Sequence, residues 1–338
     1  MNRFEFVRAT TVSEAVAALA AIPGARALAG GTNLVDLMKY DVATPPRVVD
    51  INRLPLGAVE DTADGGVRIG ALVPNSDLAW EPRIEARYPV LASAILAGAS
   101  PQLRNAATTG GNLMQRTRCY YFYDRKAPCN KREPGSGCPA LNGRNRIHGI
   151  LGTSEHCIAT HPSDMCVALA ALDATVHVEG PDGHRVIAFE NFHRLPGDTP
   201  HFDNTLASDE LITAIELPPA EGGPHHTYLK LRDRLSYAFA LVSVAVRLEL
   251  EGGRIGRAAV AMGGVAHKPW RDRAAEQGLV GQAAERTSFD TFAGRFLAGA
   301  RGHGDNDFKV DLARRALVRA LSQAASGTPQ SQTDKRIA

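Results

Sequence analysis

The sequence predicts an α+β protein that folds as about two or three domains. The chain has 338 residues, of which 44% are hydrophobic, whereas single domains usually contain about 100 to 200 residues. Helical periodicity and strand-like alternation are mixed along the first part of the chain. A long hairpin pattern and then a charged helical pattern follow in the last part. These observations together predict more than one core, built from both sheets and helices.

The opening residues predict a βαβ-like unit. The segment TTVSEAVAALAAI spaces its apolar residues as a helix does, and its Thr/Ser start with Glu14 close behind is typical of a capped amphipathic helix. The segment ARALAGGTNLVDLMK predicts a short strand that ends in paired glycines, followed by a second helix. The segments RVVDINRL and GGVRIGALV alternate and predict the next two strands.

The middle of the chain predicts helices and then a long loop. Residues 75–100 are expected to form two helices separated by Pro89. The region from Thr117 to His156 has little periodicity and many Gly, Pro, Asn and Arg residues. A loop of this length inside a compact domain is unusual unless it serves a function or something ties it down.

The second half predicts a domain boundary and a sheet. The Pro/Gly cluster in LITAIELPPAEGGPH favours a boundary near residues 218–224. The segment YAFALVSVAVRLELEGGRIGRAAVAMGG predicts a hairpin with a Gly-Gly turn, ahead of a charged helical region that ends near Leu321. The polar tail from residue 326 is expected to fray.

Charge and hydropathy exclude several broad classes. With 38 basic and 36 acidic residues, the net charge is +2, which is too small for the overall field of a nucleic-acid or membrane-surface protein. We expect no signal peptide at the amino terminus and no membrane span, since no window approaches about 18 consecutive apolar residues. The eleven histidines lack ligand spacing such as H-E-x-x-H, so we assign catalysis to none of them.

Two glycine pairs are candidates for binding phosphate. In AGGTNL, from Ala29 to Leu34, glycines between a strand and a helix let successive amides converge on an anion. TTGGNL, from Thr108 to Leu113, repeats the pattern. A tight strand-to-helix turn needs the same glycines, but two such loops together favour a dinucleotide. Neither has the G-x-G-x-x-G spacing of the nicotinamide-binding fingerprint, which disfavours NAD.

Four of the five cysteines, Cys119, Cys129, Cys138 and Cys157, lie in irregular sequence. Structural zinc sites generally use closely spaced Cys pairs, and none is present here. Wide spacing in a wrapping loop favours a polymetallic centre held by four cysteines, with free cysteines or a disulfide as the alternatives. The fifth, Cys166, lies in an apolar helix-like run and is expected to be a small buried residue rather than a ligand.

The cysteine segment is also basic and aromatic. Four consecutive aromatic residues, from Tyr120 to Tyr123, interleave with its basic residues. The positive charges could offset the negative charge of a thiolate-ligated cluster. Alternatively, the aromatic side chains could stack on the bases of single-stranded nucleic acid while the basic residues contact its backbone, or the segment could simply be a solvated basic loop. The basic residues are Arg116, Arg118, Arg125, Lys126, Lys131, Arg132, Arg144 and Arg146.

Two further segments contain residues that could bind a cofactor, but their sequence signals are weak. THPSDM, from Thr160 to Met165, offers a hydroxyl and the Asp164 carboxylate, which suit a ribose or a flavin ring but equally an ordinary helix cap. Lys230 ends a predicted strand, where most lysines face water.

These motifs in this order resemble the FAD-binding medium subunits of the molybdenum hydroxylases, the family of xanthine dehydrogenase and carbon monoxide dehydrogenase. The resemblance extends over nearly the whole chain, from AGGTNLVDLMK through ATTGGNL and HPSDM to AMGGVAHKPW. The segments RTRCYYFYDRKAPCNKREPGSGCPAL and ILGTSEHCIATHPSDM are similar to the subgroup of bacterial periplasmic aldehyde oxidoreductases, which carries an additional [4Fe-4S] cluster.

The resemblance implies a vanillyl-alcohol-oxidase (PCMH-type) FAD-binding fold with a further carboxyl-terminal domain of antiparallel sheet and helices. The first FAD-binding subdomain would be residues 1–55. The second would be residues 56–220, with the cluster loop inserted at about 115–157. The carboxyl-terminal domain would be residues 221–325, followed by a flexible tail at 326–338.

The resemblance also implies the binding residues. Thr108, Gly111 and Asn112 would line the side of FAD opposite the first glycine loop, while Asp164, Ile212 and Lys230 would contact its ribityl chain or ring. The cluster would be ligated by Cys119, Cys129, Cys138 and Cys157. The FAD diphosphate would be held by Arg26, Ala27, Leu28, Ala29, Gly30, Gly31, Thr32, Asn33 and Leu34.

The function implied is electron relay within a heterotrimer. In the family, an aldehyde is hydroxylated at the molybdenum cofactor of a large partner subunit, and electrons pass through a small [2Fe-2S] subunit to FAD and then to an external acceptor. The resemblance implies a periplasmic protein that is exported with a partner subunit, and the expected absence of a signal peptide makes the cytoplasm the alternative. The alternatives are a zinc-stabilised nucleic-acid-binding protein and a stand-alone flavin oxidase. We expect no nucleic-acid partner.

Overall fold

The computed structural model describes residues 1–334 of the chain. Its first unit is a three-stranded parallel sheet, ordered β1-β3-β2, with two helices. Thr11 and Glu14 form a capping box that starts the first helix, as the sequence predicts. The elements are β1 Glu5–Arg8, α1 Val12–Ala20, β2 Arg26–Leu28, α2 Leu34–Lys39 and β3 Arg47–Asp50.

The second unit is a five-stranded antiparallel sheet, ordered β4-β5-β8-β6-β7, packed against helices. Its strands are β4 Val59–Asp61, β5 Val67–Gly70, β6 Thr175–Gly180, β7 Gly183–Ala188 and β8 Leu211–Leu217. Its helices are α3 Asn75–Ala79, α4 Pro82–Arg87, α5 Pro89–Ala97, α6 Pro101–Ala106, α7 Thr109–Leu113, α8 Tyr120–Tyr123 and α9 Asp164–Ala171, with short 3₁₀ turns at Pro139–Leu141 and Phe189–Asn191.

The helical segment of this unit differs from the prediction. Residues 75–97 form three helices rather than two. Pro82 and Pro89 both occupy the first turn of a helix, because proline fits there without losing a helical hydrogen bond. Pro82 therefore starts α4 and divides the segment that we expected to be continuous.

The third unit is a four-stranded antiparallel sheet, ordered β12-β11-β10-β9, covered by helices. The predicted hairpin is β10 and β11, and both glycines of its turn, Gly252 and Gly253, have positive φ. The elements are β9 His226–Leu231, β10 Val242–Glu251, β11 Arg254–Gly263, β12 Trp270–Arg271, α10 Arg273–Gln277, α11 Arg286–Phe296 and α12 Phe308–Ala325. The mixture of sheets and helices in all three units confirms the α+β prediction.

The long segment between α7 and α9 is mostly irregular, as predicted, and contains α8 and one 3₁₀ turn. Asn145 and Asn306 tie it to the third unit through hydrogen bonds to the carbonyl oxygens of His303 and His148 respectively. The segment is therefore fastened to the third unit rather than free.

The tail differs from the frayed segment that we predict. The Gln330 amide donates to Thr227 Oγ1 at 2.8 Å, and Gln332 Nε2 donates to the Tyr228 carbonyl at 2.9 Å. These bonds hold the tail along β9, while residues 335–338 lie outside the described part of the chain. Within residues 1–334, no helix is both long and apolar enough to cross a bilayer.

Candidate functional site

The first glycine loop presents a row of unpaired amides. Across residues 1–334, the backbone N–H groups of residues 30–34 donate no hydrogen bond to the protein. Gly31 has a φ of +73°, a conformation that L side chains rarely adopt and that turns successive amides to the same side. The loop is half-buried. It therefore offers several oriented donors to an anion, as the sequence predicts.

Gly30 brings this loop against the second subdomain. A Cβ at Gly30 would lie 1.6 Å from the Ala106 carbonyl oxygen, so only glycine fits. Asn33 strengthens the junction, because its Oδ1 accepts from the Arg116 amide at 3.0 Å. The Nδ2 of Asn33 is buried and has no partner. A buried amide donor without an acceptor indicates room for a ligand beside the loop.

Most of the other residues predicted to hold the diphosphate belong to the secondary structure on either side of the loop. Arg26, Ala27 and Leu28 form β2, paired in parallel with β3, and Arg26 is exposed. Thr32 and Leu34 flank Asn33, and Leu34 begins α2. Their amides belong to the unpaired row, so the backbone rather than the side chains carries the binding capacity.

The second glycine loop has a different role from the first. The amides of Thr109 and Gly110 donate to the carbonyl oxygens of Val73 and Ala71, and the Gly111 amide is capped by Thr108 Oγ1. These amides are used within the protein and are not free for an anion. The polar group that the loop presents is Asn112.

Asn112 is the centre of a hydrogen-bonded set. Its Nδ2 donates to Asn75 Oδ1 at 2.7 Å, and its Oδ1 accepts from Ser163 Oγ at 2.6 Å and from Gln115 Nε2 at 2.9 Å. The structure thus joins TTGGNL to THPSDM. Sequence reasoning missed Asn75, which is the first residue of α3 and carries no motif of its own.

Asp164 and Lys230, which are far apart in sequence, form a buried ion pair with an Nζ–Oδ2 distance of 2.7 Å. Tyr228 completes the set by donating its hydroxyl to Asp164 Oδ1 at 2.7 Å. Lys230 does not face water: its side chain is 3% exposed, and its Nζ also donates to the Ala97 carbonyl. The two predicted FAD contacts are therefore brought together, and they join α9 to β9. Their role toward FAD stays a prediction.

Ile212 lies in β8 opposite Val178 and is buried. The next residue, Thr213, accepts at its carbonyl from the Ala71 amide, and the Ala71 carbonyl accepts from Gly110. The residue next to Ile212 is therefore connected to the second glycine loop through the backbone hydrogen bonds of Ala71. Its predicted contact with FAD is likewise untested.

All four cysteines of the long segment line one cavity. Cys119, Cys129, Cys138 and Cys157 share its wall with Tyr121, Phe122, Lys131 and His148. None of the four forms a disulfide, which removes the disulfide alternative. Two of them, Cys119 and Cys157, are buried.

Two thiols of the cavity have raised pKa values. Burial raises the pKa of Cys119 to about 12 and that of Cys157 to about 11, because a thiolate loses its hydration there. A donor for a sulfur anion is nevertheless in place, because the Ala159 amide lies 3.4 Å from Cys157 Sγ. His148 Nε2 lies 3.1 Å from Cys119 Sγ. Thiolates would therefore persist only with a bound cation or cluster.

Lys131 is the cation of this cavity. Its side chain is 1% exposed and pairs with Asp203, whose carboxylate also accepts from Arg116 Nε at 2.6 Å. Although burial opposes its ionisation, Lys131 and Arg116 hold the pKa of Asp203 well below its usual range. Arg116 in turn donates its amide to Asn33. A chain of contacts thus links the cysteine cavity to the first glycine loop.

The other basic residues of the segment do not surround the cavity. Arg118 pairs with Asp36, Arg125 with Asp41 and Arg146 with Asp233. Of the eight basic residues, only Lys131 lines the cavity within the described chain, so the predicted offsetting of a cluster's charge rests on this residue rather than on all eight. Of the four aromatic residues only Tyr120 is exposed, which removes the stacking platform that nucleic-acid binding needs.

Two sequence families match the chain in succession. Residues 2–220 match the family described as "FAD binding domain in molybdopterin dehydrogenase", and residues 226–324 match "CO dehydrogenase flavoprotein C-terminal domain". The chain belongs to this flavoprotein family. It is 52% identical over 325 residues to the aldehyde oxidoreductase FAD-binding subunit PaoB of Escherichia coli K12, covering 96% of this chain and 99% of the relative.

More distant relatives share the architecture. The carbon monoxide dehydrogenase medium chain of Hydrogenophaga pseudoflava is 27% identical, covering 95% of this chain and 97% of the relative. A solved structure of the carbon monoxide dehydrogenase from the same organism superposes with a TM-score of 0.76 at 28% identity, covering 96% of this chain and 98% of that one. These similarities confirm the predicted FAD-binding family and its fold.

The residues present fit the groups that the family and the resemblance imply. Unpaired amides at residues 30–34 and the orphaned Nδ2 of Asn33 suit a diphosphate. Four soft sulfur donors around one cavity suit a cluster of several metal ions. Sequence reasoning missed His148 and Asp203, since an isolated histidine and an isolated aspartate carry no signal until folding brings them to the cavity.

Proposed function

We propose that this chain is the FAD- and [4Fe-4S]-carrying electron-transfer subunit of a molybdenum-dependent aldehyde oxidoreductase. The observation that supports it most is the convergence of four widely spaced cysteines on one cavity, in a chain that belongs to a flavoprotein family. The 52% identity to an aldehyde oxidoreductase subunit supports the substrate class. The subunit transfers electrons and makes no bond to the organic substrate.

FAD, when bound, supplies one- and two-electron redox chemistry. The backbone amides of residues 30–34 would hold its diphosphate, and Asn33 Nδ2 would donate to it. Asn112, held by Asn75 and Ser163, would orient a polar edge of the cofactor. The buried Asp164–Lys230 pair would fix the position of α9 behind it. This chain therefore binds and orients the flavin with prearranged groups.

A [4Fe-4S] cluster, when bound, supplies a one-electron carrier. Cys119, Cys129, Cys138 and Cys157 would ligate it as thiolates, releasing their protons on assembly. Lys131 and the Ala159 amide would offset its negative charge. Since hydrogen bonds and nearby cations raise the reduction potential of a cluster, these groups set how readily it accepts an electron.

The proposed partners follow from the family resemblance. We infer a small [2Fe-2S] subunit that delivers electrons and a large molybdenum-cofactor subunit that oxidises the aldehyde, with an external acceptor taking electrons from FAD. The name "medium chain" of a distant relative is in keeping with such an assembly. We propose that the complex acts in the periplasm and is exported together with a partner subunit, on the strength of the resemblance.

Metal analysis of three forms of the chain tests this proposal. The wild-type protein, purified without oxygen, should contain about four irons, about four labile sulfides and one FAD per chain. Cys129→Ser should lose most of the iron and keep the flavin, while Lys126→Met, which alters an exposed residue of the same segment, should keep both. Flavin without iron in the wild-type protein would contradict the cluster.

A further inference from the structure

A second group of metal-ligating side chains lies outside the cysteine cavity. One ring nitrogen of His161, one of His193 and the Sγ of Cys166 all lie within 4.8 Å of one another. All three residues are buried. They come from three separate segments: the end of the long irregular segment, α9, and the turn that follows Phe189–Asn191.

The ring nitrogens of this group are unpaired. Neither Nδ1 nor Nε2 of His161 has a hydrogen-bond partner within the described chain, and neither does Nδ1 of His193. A buried polar group without a partner costs roughly 1–3 kcal/mol, and native proteins contain few of them. A bound ion that accepts these lone pairs would remove the cost.

Hydrogen bonding prepares His193 as a ligand. Its Nε2 lies 2.9 Å from the Leu113 carbonyl oxygen, which can only accept, so Nε2 carries the proton. The proton on Nε2 leaves the lone pair of Nδ1 available, and Nδ1 has no hydrogen-bond partner within the described chain. Histidines that bind metals commonly donate their other N–H to a carbonyl in this way.

We propose that His161, Cys166 and His193 coordinate a buried zinc ion. Two imidazoles and one thiolate are a donor set that Zn²⁺ prefers. Zinc–ligand distances of about 2.0–2.3 Å place neighbouring donors roughly 3.5 Å apart, so the group needs only a small contraction. Cys166 gives up its proton on binding, and a water molecule takes the fourth position. No electron is transferred.

The ion would connect separate segments of the chain. It would fasten the end of the long segment, at His161, to α9 and to the segment that follows β7. The site does not depend on the proposed cluster or on FAD, because it shares no ligand with either. An experiment that rejects the zinc site would therefore leave the proposed function unaffected.

Zinc measured on the same full-length proteins tests the site. The wild-type chain should contain about one zinc in addition to its iron, and Cys166→Ala and His193→Gln should lose it. Cys138→Ser should lose iron and keep zinc, and His177→Gln, which changes a buried histidine elsewhere, should keep both. Wild-type protein without zinc, copper in its place, or zinc retained in Cys166→Ala would each overturn the proposal.

A spectroscopic measurement avoids variants that fail to fold. Wild-type protein produced with Co²⁺ in place of zinc should gain ligand-field bands of a tetrahedral ion and a thiolate-to-cobalt charge-transfer band, at one cobalt per chain. The loop variant Cys138→Ser should retain these bands. Bands that vanish in Cys138→Ser would assign the cobalt to the cysteine cavity and overturn the proposal.

Discussion

Lys131 is a buried cation held by several polar partners. It faces the cysteine cavity, donates to the Pro200 carbonyl at 2.7 Å and pairs with Asp203. A buried cation stays charged only where such partners repay its lost hydration. Lys131 thus forms a structural ion pair with Asp203 and also supplies a positive charge on the wall of the cavity that would hold the cluster.

Lys131→Met should lower the reduction potential of the cluster, because the reduced form gains negative charge and loses its neighbouring cation. The same change should destabilise the fold by about 3 kcal/mol, since Asp203 is left with one partner fewer. Redox titration followed by EPR, with urea unfolding, measures both. Lys126→Met removes an exposed lysine of the same segment and should change neither; an unchanged potential in Lys131→Met would contradict this role.

Lys309 makes stability depend on pH. It is fully buried and donates to the carbonyl oxygens of His148 and Gly264 without a carboxylate. Burial lowers its pKa to about 7 from an unfolded value of 10.5. Between these values the unfolded chain binds the proton and the folded chain does not, so stability rises with pH across this window.

Urea unfolding at pH 7 and pH 9 should therefore give a higher midpoint at pH 9 for the wild-type chain. Lys309→Met cannot titrate and should lose this gain. Arg319→Met, which alters an exposed charge on the same helix, is the control and should keep the gain. An identical pH response in Lys309→Met and the wild type would show that the lysine titrates normally in the fold.

The conformation of the first glycine loop depends on the close packing of Gly30 against the backbone of Ala106. Gly30 touches the end of α6, and Gly31 turns the amides of the following residues outward. The loop thus needs a residue without a side chain at Gly30 and a positive φ at Gly31. Substitution should affect packing and flavin binding together.

Gly30→Ala should destabilise the protein by about 1–3 kcal/mol through overpacking and should lower its FAD content. Gly57→Ala is the matched control, because nothing lies within 4 Å of a Cβ there. Thermal unfolding and flavin absorbance after gel filtration measure the two effects. Full flavin content in Gly30→Ala would remove this loop from the binding site.

Local sequence predicted much of the fold and the residue types of the site, and long-range contacts account for the rest. The capping box, the paired glycines and the Gly-Gly hairpin depend on neighbours a few residues apart, so the sequence carries them directly. The Asp164–Lys230 pair joins residues 66 positions apart, and no local pattern distinguishes such a lysine from one facing water. His193 likewise joins His161 and Cys166 only through the fold.

The units of the chain are joined by buried charges as well as by apolar contacts. Lys230 of β9 reaches Asp164 of α9, and Arg271 of β12 reaches Asp173 just beyond α9. Helix α9 also packs directly on β10 and β11. The third sheet is therefore expected to unfold together with the flavin-binding part rather than independently.

Lys230→Met should weaken this junction by about 3–5 kcal/mol, because it leaves the buried Asp164 carboxylate with the Tyr228 hydroxyl alone. Arg232→Met removes a hydrogen bond to the same Ala97 carbonyl without stranding a carboxylate, so it should cost only about 1 kcal/mol. Calorimetry would measure the loss. Equal effects of the two variants would mean that the ion pair adds nothing to the junction.

Anaerobic mixing of an aldehyde with the assembled complex, followed by flavin absorbance, tests the relay most directly. The proposed function predicts that the flavin bleaches in the complex, that it does not bleach in the isolated chain, and that dithionite reduces it in both. Bleaching of the isolated chain by aldehyde alone would mean that this subunit oxidises the substrate itself, and would contradict its role as an electron carrier.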